Sequence, residues 1–214
     1  MKILCINLGA GCQTALQLNK HNLRHEAFPF DWVLTLDFDK VIMAIANNFA
    51  YYMDKEYLLH QGYRIYNTFY SFAFLHDFPT YETHVEEYKK LDNKKFYNGS
   101  IITNYVDFLP VIKDKYERRI KRFYATLNGS SFIMFFRNNC CPGQATLFTK
   151  LIRQQNPNLR FLLIILHDNK QFEGDWHVSH VKNFYIAKYE VIHLEVKWWH
   201  DADWLHIFKA LELI

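Results

Sequence analysis

ILCINLGAGCQTALQL, residues 3–18, predicts a strand, a glycine turn and a helix in direct succession. The apolar run before Gly9 is typical of a short buried strand that ends at a breaker. Gly9 and Gly11 allow the backbone to turn sharply with positive φ, and good helix formers follow. This reading places Cys12 in the first turn of the helix.

Cys12 is the first candidate for chemistry. A cysteine at a helix N-terminus faces unpaired N–H groups and the positive end of the helix dipole, which favours a thiolate with a lowered pKa. The backbone N–H groups of the turn at Gly9, Gly11 and Gln13 would stabilise an oxyanion beside the sulfur. Two other interpretations stay open. In the first, Cys12 is a small packing residue without chemistry. In the second, the glycine turn binds a phosphate.

Length and composition limit the class of protein. The 214 residues, half of them hydrophobic, predict a single α/β domain over 1–214, with an insertion around 81–105. A net charge of +3 is too small to indicate a protein that binds nucleic acid through a basic surface. The four cysteines include no Cys-x-x-Cys pair, so we expect no metal site. No signal core and no membrane span are evident, which predicts a cytoplasmic protein, with export lacking a cleaved signal left open.

Continuous apolar strands alternate with helices through much of the chain. Such strands, buried on both faces, predict a three-layer α/β fold whose mostly parallel sheet has helices on both faces. An aromatic stretch at 63–74 predicts a strand or hairpin. The strands are predicted at 131–136 and 159–166. The helices are predicted at 39–59 (with a break near 47–48), 107–127 and 144–155, and residues 198–214 are predicted to form a loop and a helix.

Polar residues cluster where these strands end. Sites in parallel sheets form at the carboxyl ends of the strands, so these residues are the candidates. His76 is either a general base or a loop histidine, and Asp31 either caps the next helix or orients a catalytic group. The strand-end residues are Gly9 to Cys12, Asp31, His76, Asp77, Arg137, His167 and Asp168.

Several separated motifs resemble those of one family. They are Leu8-Gly9 with Cys12, Leu23-Arg24, Pro29-Phe30-Asp31-Trp32, His76-Asp77-Phe78, the run 118–123 and Phe135-Phe136-Arg137. In this order they are similar to a family of uncharacterised bacterial proteins described as papain-like cysteine peptidases.

That resemblance covers roughly residues 3–137 and implies an acyl enzyme without a cofactor. Cys12 is then the nucleophile and His76 the base. From their places in the chain, we expect Asp77 or Asp31 to fix the histidine tautomer. Arg137 would bind an anionic part of a peptide or small-molecule substrate. The Cys-Gly-Ser-Cys-Trp signature of papain itself is absent.

A second resemblance is to SGNH-type esterases and acyltransferases. They carry a nucleophile after the first strand and an Asp-x-x-His before the last helix, and this chain has Asp203-Trp204-Leu205-His206. The resemblance implies transfer of an acyl group from coenzyme A to a sugar or other hydroxyl, with Asp203 and His206 as alternative catalytic residues. A third alternative is a non-catalytic module that binds a phosphorylated ligand.

Overall fold

A computed structural model describes residues 2–81, 100–168, 172, 174–186, 189–192, 195–198 and 201–214. Residues 82–99, which hold most of the predicted insertion at 81–105, lie outside this range. The helices are α1 (Gln13–Lys20), α2 (Phe38–Ala46), α3 (Leu109–Leu127), α4 (Pro142–Gln155) and α5 (Asp201–Ala210). The strands are β1 (Ile3–Asn7), β2 (Val33–Leu34), β3 (Leu58–Gln61), β4 (Arg64–Asn67), β5 (Phe72–Phe74), β6 (Phe132–Asn138), β7 (Phe161–His167), β8 (Val181–Tyr185), β9 (Tyr189–Ile192) and β10 (Glu195–Trp198).

The chain forms two compact units. Unit 1 contains residues 1–8, 12–26 and 127–214, and unit 2 contains residues 9–11 and 27–126. Within the described parts of the chain, no helix has both the length and the apolar character needed to cross a membrane.

Unit 1 is built on a parallel sheet with strand order β1-β6-β7-β8. Its strands are short apolar runs because both of their faces are buried. On one face, Phe136 packs with Leu18 of α1 and Phe208 of α5. On the other, Phe135 contacts Phe148 of α4, with ring centroids 5.2 Å apart. The predicted α/β class, with helices on both faces of a parallel sheet, is confirmed.

Unit 2 contains an antiparallel sheet with strand order β2-β5-β4-β3. The aromatic stretch at 63–74 provides β4 and β5, so the predicted strand or hairpin is confirmed. The predicted helix over 39–59 is too long, because α2 ends at Ala46 and a turn follows. This sheet was not anticipated as a whole, since β2 and β5 have only two and three residues and carry little periodic signal.

The turn after α2 has a strained backbone. Asn48, Phe49 and Tyr51 have φ values of 51°, 56° and 64°, a left-handed conformation that costs of order 1–3 kcal/mol per non-glycine residue. Buried Asn67 compensates by donating from Nδ2 to the carbonyls of Tyr51 (2.6 Å) and Tyr52 (3.2 Å). The hydroxyl of Tyr70 donates to the Ala50 carbonyl at 2.6 Å. These contacts fix the turn in one conformation.

Helix α3 packs one stripe of residues into the interior of unit 2. Ile112, Tyr116, Arg119 and Phe123 are each at most 3% exposed and recur at helical spacing. Arg119 is the exception by residue type, because a guanidinium so deeply buried requires a charged or hydrogen-bonding partner. That partner is Asp77, as described below.

Candidate functional site

Cys12 is the N-cap residue of α1, five positions after the end of β1. Its carbonyl accepts from the Leu16 N–H at 2.9 Å, which closes the first turn of the helix. The residue is half-buried and its thiol is not in a disulfide. The sequence therefore placed Cys12 correctly at the start of the helix and at the carboxyl end of a parallel strand.

The predicted lowering of the Cys12 pKa is wrong for this structure. Burial raises the pKa of the thiol above its usual range, and a hydrogen bond from its own backbone N–H opposes this only in part. The sequence argument assumed that the helix N-terminus would dominate, but withdrawal from water disfavours the charged sulfur more strongly. At neutral pH the resting residue is a thiol, so nucleophilic attack requires a base to remove its proton.

The glycine turn before Cys12 is left-handed throughout, with φ values of 89°, 68° and 124° at Gly9, Ala10 and Gly11. The Ala10 N–H donates to Oγ1 of Thr35 at 2.9 Å, which fastens the turn. A Cβ at position 9 would lie 2.1 Å from the same Thr35 oxygen. Position 9 therefore needs glycine both for its backbone conformation and for this close approach.

We expect Gly9→Ala to lower the free energy of unfolding by roughly 2–3 kcal/mol. A left-handed alanine costs about 1–2 kcal/mol. Moving the Thr35 side chain out of the way also loses its hydrogen bond to Ala10, worth about 0.5–1.5 kcal/mol. Urea denaturation followed by circular dichroism measures the change.

Gly62→Ala is the matched control for this prediction. Gly62 also has positive φ, at 60°, but nothing lies within 4 Å of an added Cβ. It should lose only the backbone contribution of about 1–2 kcal/mol. Equal losses in the two variants would contradict a specific role for the Gly9–Thr35 approach.

Asp77 lies at the centre of a buried charge cluster in unit 2. Its Oδ2 accepts from the Tyr116 hydroxyl at 2.6 Å. Its Oδ1 is 2.7 Å from Nζ of Lys115 and 3.3 Å from Nη1 of Arg119. Asp77 and Arg119 are 2% and 3% exposed. The cluster therefore ties the residue after His76 to helix α3.

The charges in this cluster stabilise one another. Burial by itself would raise the pKa of Asp77, but the positive charges of Lys115 and Arg119, with hydrogen bonds from Lys115 and Tyr116, lower it to about 2. Burial lowers the pKa of Lys115, and Asp77 opposes that shift. The carboxyl group is ionised at neutral pH and its interactions are structural.

The basic run on α3 is typical of a solvated face, with the alternative that one of its arginines binds a carboxylate or phosphate, and the pairing of Lys115 and Arg119 with Asp77 was not predicted. The helical spacing of Arg119 was the one sequence signal that pointed to its burial. Arg119 falls on the stripe of Ile112, Tyr116 and Phe123, which is apolar at its other positions.

His76 and Asp31 are the other candidates in unit 2. His76 is half-buried and follows β5 by two residues. Asp31 is fully buried and accepts from the Phe28 N–H at 2.8 Å. The alternative in which Asp31 caps the next helix is wrong, because Asp37 is the N-cap of α2. Asp31 instead fastens the turn that precedes it.

Arg137 and Gln13 belong to unit 1. Gln13 is half-buried at the first position of α1. Arg137 is fully buried on β6 and donates from Nη1 to the Leu8 carbonyl at 3.1 Å. As placed here, the guanidinium supports the chain after β1, and contact with a substrate anion would require it to become exposed.

Two polar residues at the carboxyl end of this sheet are Asn138, which the sequence did not indicate, and His167, which was among the strand-end candidates. Asn138 ends β6, and its Oδ1 accepts from the Thr14 hydroxyl of α1 at 3.3 Å. His167 ends β7, is 2% exposed and contacts the Trp176 ring at 4.9 Å. Burial lowers the pKa of His167, with opposition from Asp168. The predicted strand at 131–136 ended two residues before Asn138, so the sequence did not indicate that Asn138 lies at the end of β6.

Asp203 and His206 lie on α5, Asp203 half-buried and His206 exposed. Among the residues that the structure describes, no three His, Cys, Asp or Glu side chains are grouped closely enough to hold a metal ion.

Comparison with known proteins now identifies the family. A family model described as "Putative papain-like cysteine peptidase (DUF1796)" matches residues 3–170. The chain belongs to this family. The match to the papain-like cysteine peptidase family includes Cys12, Asp31, His76, Asp77 and Arg137, whereas Asp203 and His206 lie beyond it.

A viral protein is also similar to this chain. An uncharacterized protein of Acanthamoeba polyphaga mimivirus is 25% identical over 186 residues, which cover 78% of this chain and 72% of the relative. No solved structure matches the chain.

Proposed function

We propose that this protein is a cysteine hydrolase that cleaves peptide or other acyl bonds, with Cys12 as the nucleophile and His76 as the base. The observation that carries the proposal is the position of Cys12. Cys12, with a half-buried thiol, occupies the N-cap position of the helix that follows the first strand of a parallel sheet, in a chain that belongs to the papain-like cysteine peptidase family.

In the proposed reaction, His76 takes the proton of the Cys12 thiol while Sγ attacks the substrate carbonyl carbon. The carbonyl π electrons move to oxygen, and the resulting oxyanion accepts hydrogen bonds from backbone N–H groups between Gly9 and Gln13. The bond to the leaving group then breaks, and the leaving group takes the proton from His76. Water, deprotonated by His76, then attacks the thioester carbonyl carbon. The C–S bond breaks, the carboxylic acid leaves, and His76 returns the proton to the Cys12 sulfur.

Two features of the chain support these roles. Burial raises the pKa of Cys12, so its sulfur carries a proton that a base must remove before attack. The three contacts of the Asp77 carboxylate anchor the backbone next to His76, which would hold the imidazole in place. In this proposal Asp77 positions His76 through the backbone.

Labelling with two reagents tests the proposal. A peptidyl acyloxymethyl ketone, which mimics a substrate, should react first at Cys12 at pH 7, as peptide mass spectrometry would show. Iodoacetamide should instead react first with the exposed Cys141, because Cys12 is half-buried and its raised pKa leaves little thiolate. Cys5 should react with neither reagent, since burial raises its pKa to about 12.

Histidine variants identify the base. His76→Ala should abolish ketone labelling of Cys12, while His60→Ala, at another half-buried histidine of unit 2, should leave it unchanged. Loss of labelling in His206→Ala with full labelling in His76→Ala would overturn the choice of His76 and favour the acyltransferase alternative. Ketone labelling confined to Cys141 would overturn the proposal as a whole.

A further inference from the structure

The first turn of helix α1 is not anchored by its N-cap residue. Helices are commonly anchored there by an N-cap side chain that accepts from an N–H group two or three positions later. Cys12 occupies this position without such a bond, and its backbone already has helical angles, with φ −87° and ψ −15°. The sulfur is therefore not used to hold the turn, and another contact must do so.

A contact between Thr14 and the end of strand β6 takes the place of that anchor. The Thr14 hydroxyl donates to Oδ1 of Asn138 at 3.3 Å, and both residues are at most 3% exposed. The helix and the strand meet again where Leu18 packs with Phe136. The second pair lies four residues along the helix and two along the strand from the first, and both steps span about 6–7 Å. The packing of α1 on β6 therefore brings Thr14 and Asn138 together.

Stability alone does not explain this polar pair. The bond from Thr14 uses one atom of the Asn138 amide, and Nδ2 of that amide is buried with no hydrogen-bond partner among the described residues. A buried N–H group without an acceptor costs about 1–3 kcal/mol. Two apolar side chains would avoid this cost, because replacing both members of a buried polar pair is close to neutral or stabilising. Departures of this kind from an apolar interior are expected where function requires them.

We propose that Asn138 is a positioning residue for Cys12 and acts through Thr14. The inference rests on the proposed function, in which Cys12 is the nucleophile. All three residues belong to unit 1, and Thr14 follows Cys12 by two positions in the same helical turn. A hydrogen bond is directional, so it fixes the orientation of this turn more closely than an apolar contact would. Misplacement of a reacting atom by about 1 Å can reduce a rate about 100-fold.

The test uses the full chain with Thr14→Val and Asn138→Leu combined. Because both polar groups are removed together, the free energy of unfolding in urea should equal or exceed that of the unchanged protein. The rate of Cys12 labelling by the peptidyl acyloxymethyl ketone should still fall about tenfold or more, since this substrate-like reagent requires an aligned sulfur. Iodoacetamide does not require this alignment, so its rate with Cys12 should stay the same.

Two results with the double variant would overturn the proposal. One is an unchanged rate of ketone labelling at Cys12 in a variant that is folded and stable. The other is an equal fall in rate with both reagents, because it would show a change in the thiol itself and not in its alignment.

Single variants give a second test that does not depend on the folding of the double variant. Thr14→Ser keeps the hydroxyl and should label with the ketone about tenfold faster than Thr14→Val. Thr149→Val is the matched control, because Thr149 is buried on α4 of the same unit and its hydroxyl donates to the Thr146 carbonyl at 3.0 Å. It should leave labelling of Cys12 unchanged. Equal rates in the two Thr14 variants would overturn the proposal.

Amide hydrogen exchange separates this proposal from the proposed function. The Leu16 N–H donates to the Cys12 carbonyl, and it should exchange about twofold to tenfold faster in Thr14→Val than in Thr14→Ser. The Ala145 N–H, which bonds the N-cap carbonyl of α4 in the same way, should exchange equally in both. Faster Leu16 exchange without ketone labelling of the unchanged protein would remove the hydrolase function and leave Asn138 holding the turn. Equal Leu16 exchange would overturn the role of Asn138, whether or not Cys12 reacts.

Discussion

Asp77→Ala is expected to lower the free energy of unfolding by about 3–5 kcal/mol. The carboxylate is buried between Lys115 and Arg119, and alanine leaves both cations in the interior with no negative charge at that position. The Tyr116 hydroxyl loses its acceptor as well. Urea denaturation followed by circular dichroism measures the loss.

Asp114→Ala is the matched control, because it removes an aspartate from an ion pair on the surface of the same helix. Asp114 pairs with Arg118 one turn along α3, and both side chains are more than half exposed. Its loss should be below about 1 kcal/mol. Similar losses in the two variants would show that the buried cluster contributes no more than a surface pair.

The same cluster should make stability depend on acid pH. Native Asp77 has a pKa of about 2, below its ordinary value of 3.8, so folding favours the ionised form. A depressed pKa contributes stability that is fully present above pH 4 and is lost as the pH falls through 2. The contribution is about 2 kcal/mol. Asp77→Ala should lack this part of the acid dependence.

Cys12→Ala should reduce kcat/KM for a cleaved peptide by about 10⁴-fold or more, because the nucleophile of the proposed reaction is lost. Cys12→Ser should be almost as inactive, since the raised pKa of the thiol shows an environment that disfavours a negative charge at this position. Hydrolysis is followed by chromatography of a peptide substrate, and the products show whether water or a hydroxyl accepts the acyl group.

Cys141→Ala is the control for these kinetics, because Cys141 is an exposed cysteine at the N-cap of α4. It should retain full activity with an unchanged KM. Full activity in Cys12→Ala with unchanged circular dichroism would contradict the proposed nucleophile.

The parallel sheet could be predicted from sequence because its strands are continuous apolar runs. Residues 3–8 and 159–166 carry this signal locally, and the glycine turn before Cys12 follows the first of them directly. The position of Cys12 was therefore readable. Its pKa was not, because the surrounding residues that bury the sulfur are set by the tertiary fold.

The contacts of Asp77 are a second feature that the sequence alone does not predict. Its partners lie 38 and 42 positions along the chain, and no local pattern joins an aspartate in a loop to a lysine and an arginine on a distant helix. The same holds for Asn138 and Thr14, which meet only once β6 is placed beside β1. Residue type indicated which side chains carry chemistry, whereas long-range packing decided what they contact.

The pairing of β1 has a consequence for the order of events during synthesis on the ribosome. Ile3 is in register with Phe132, so the strand that leads to Cys12 gains its neighbour only when the chain has grown by a further 129 residues. All of residues 27–126 emerge before that, and they can fold while the N-terminal strand waits unpaired. A nascent chain halted before β6 would carry Cys12 next to an apolar segment with an open edge, which is a form prone to aggregate.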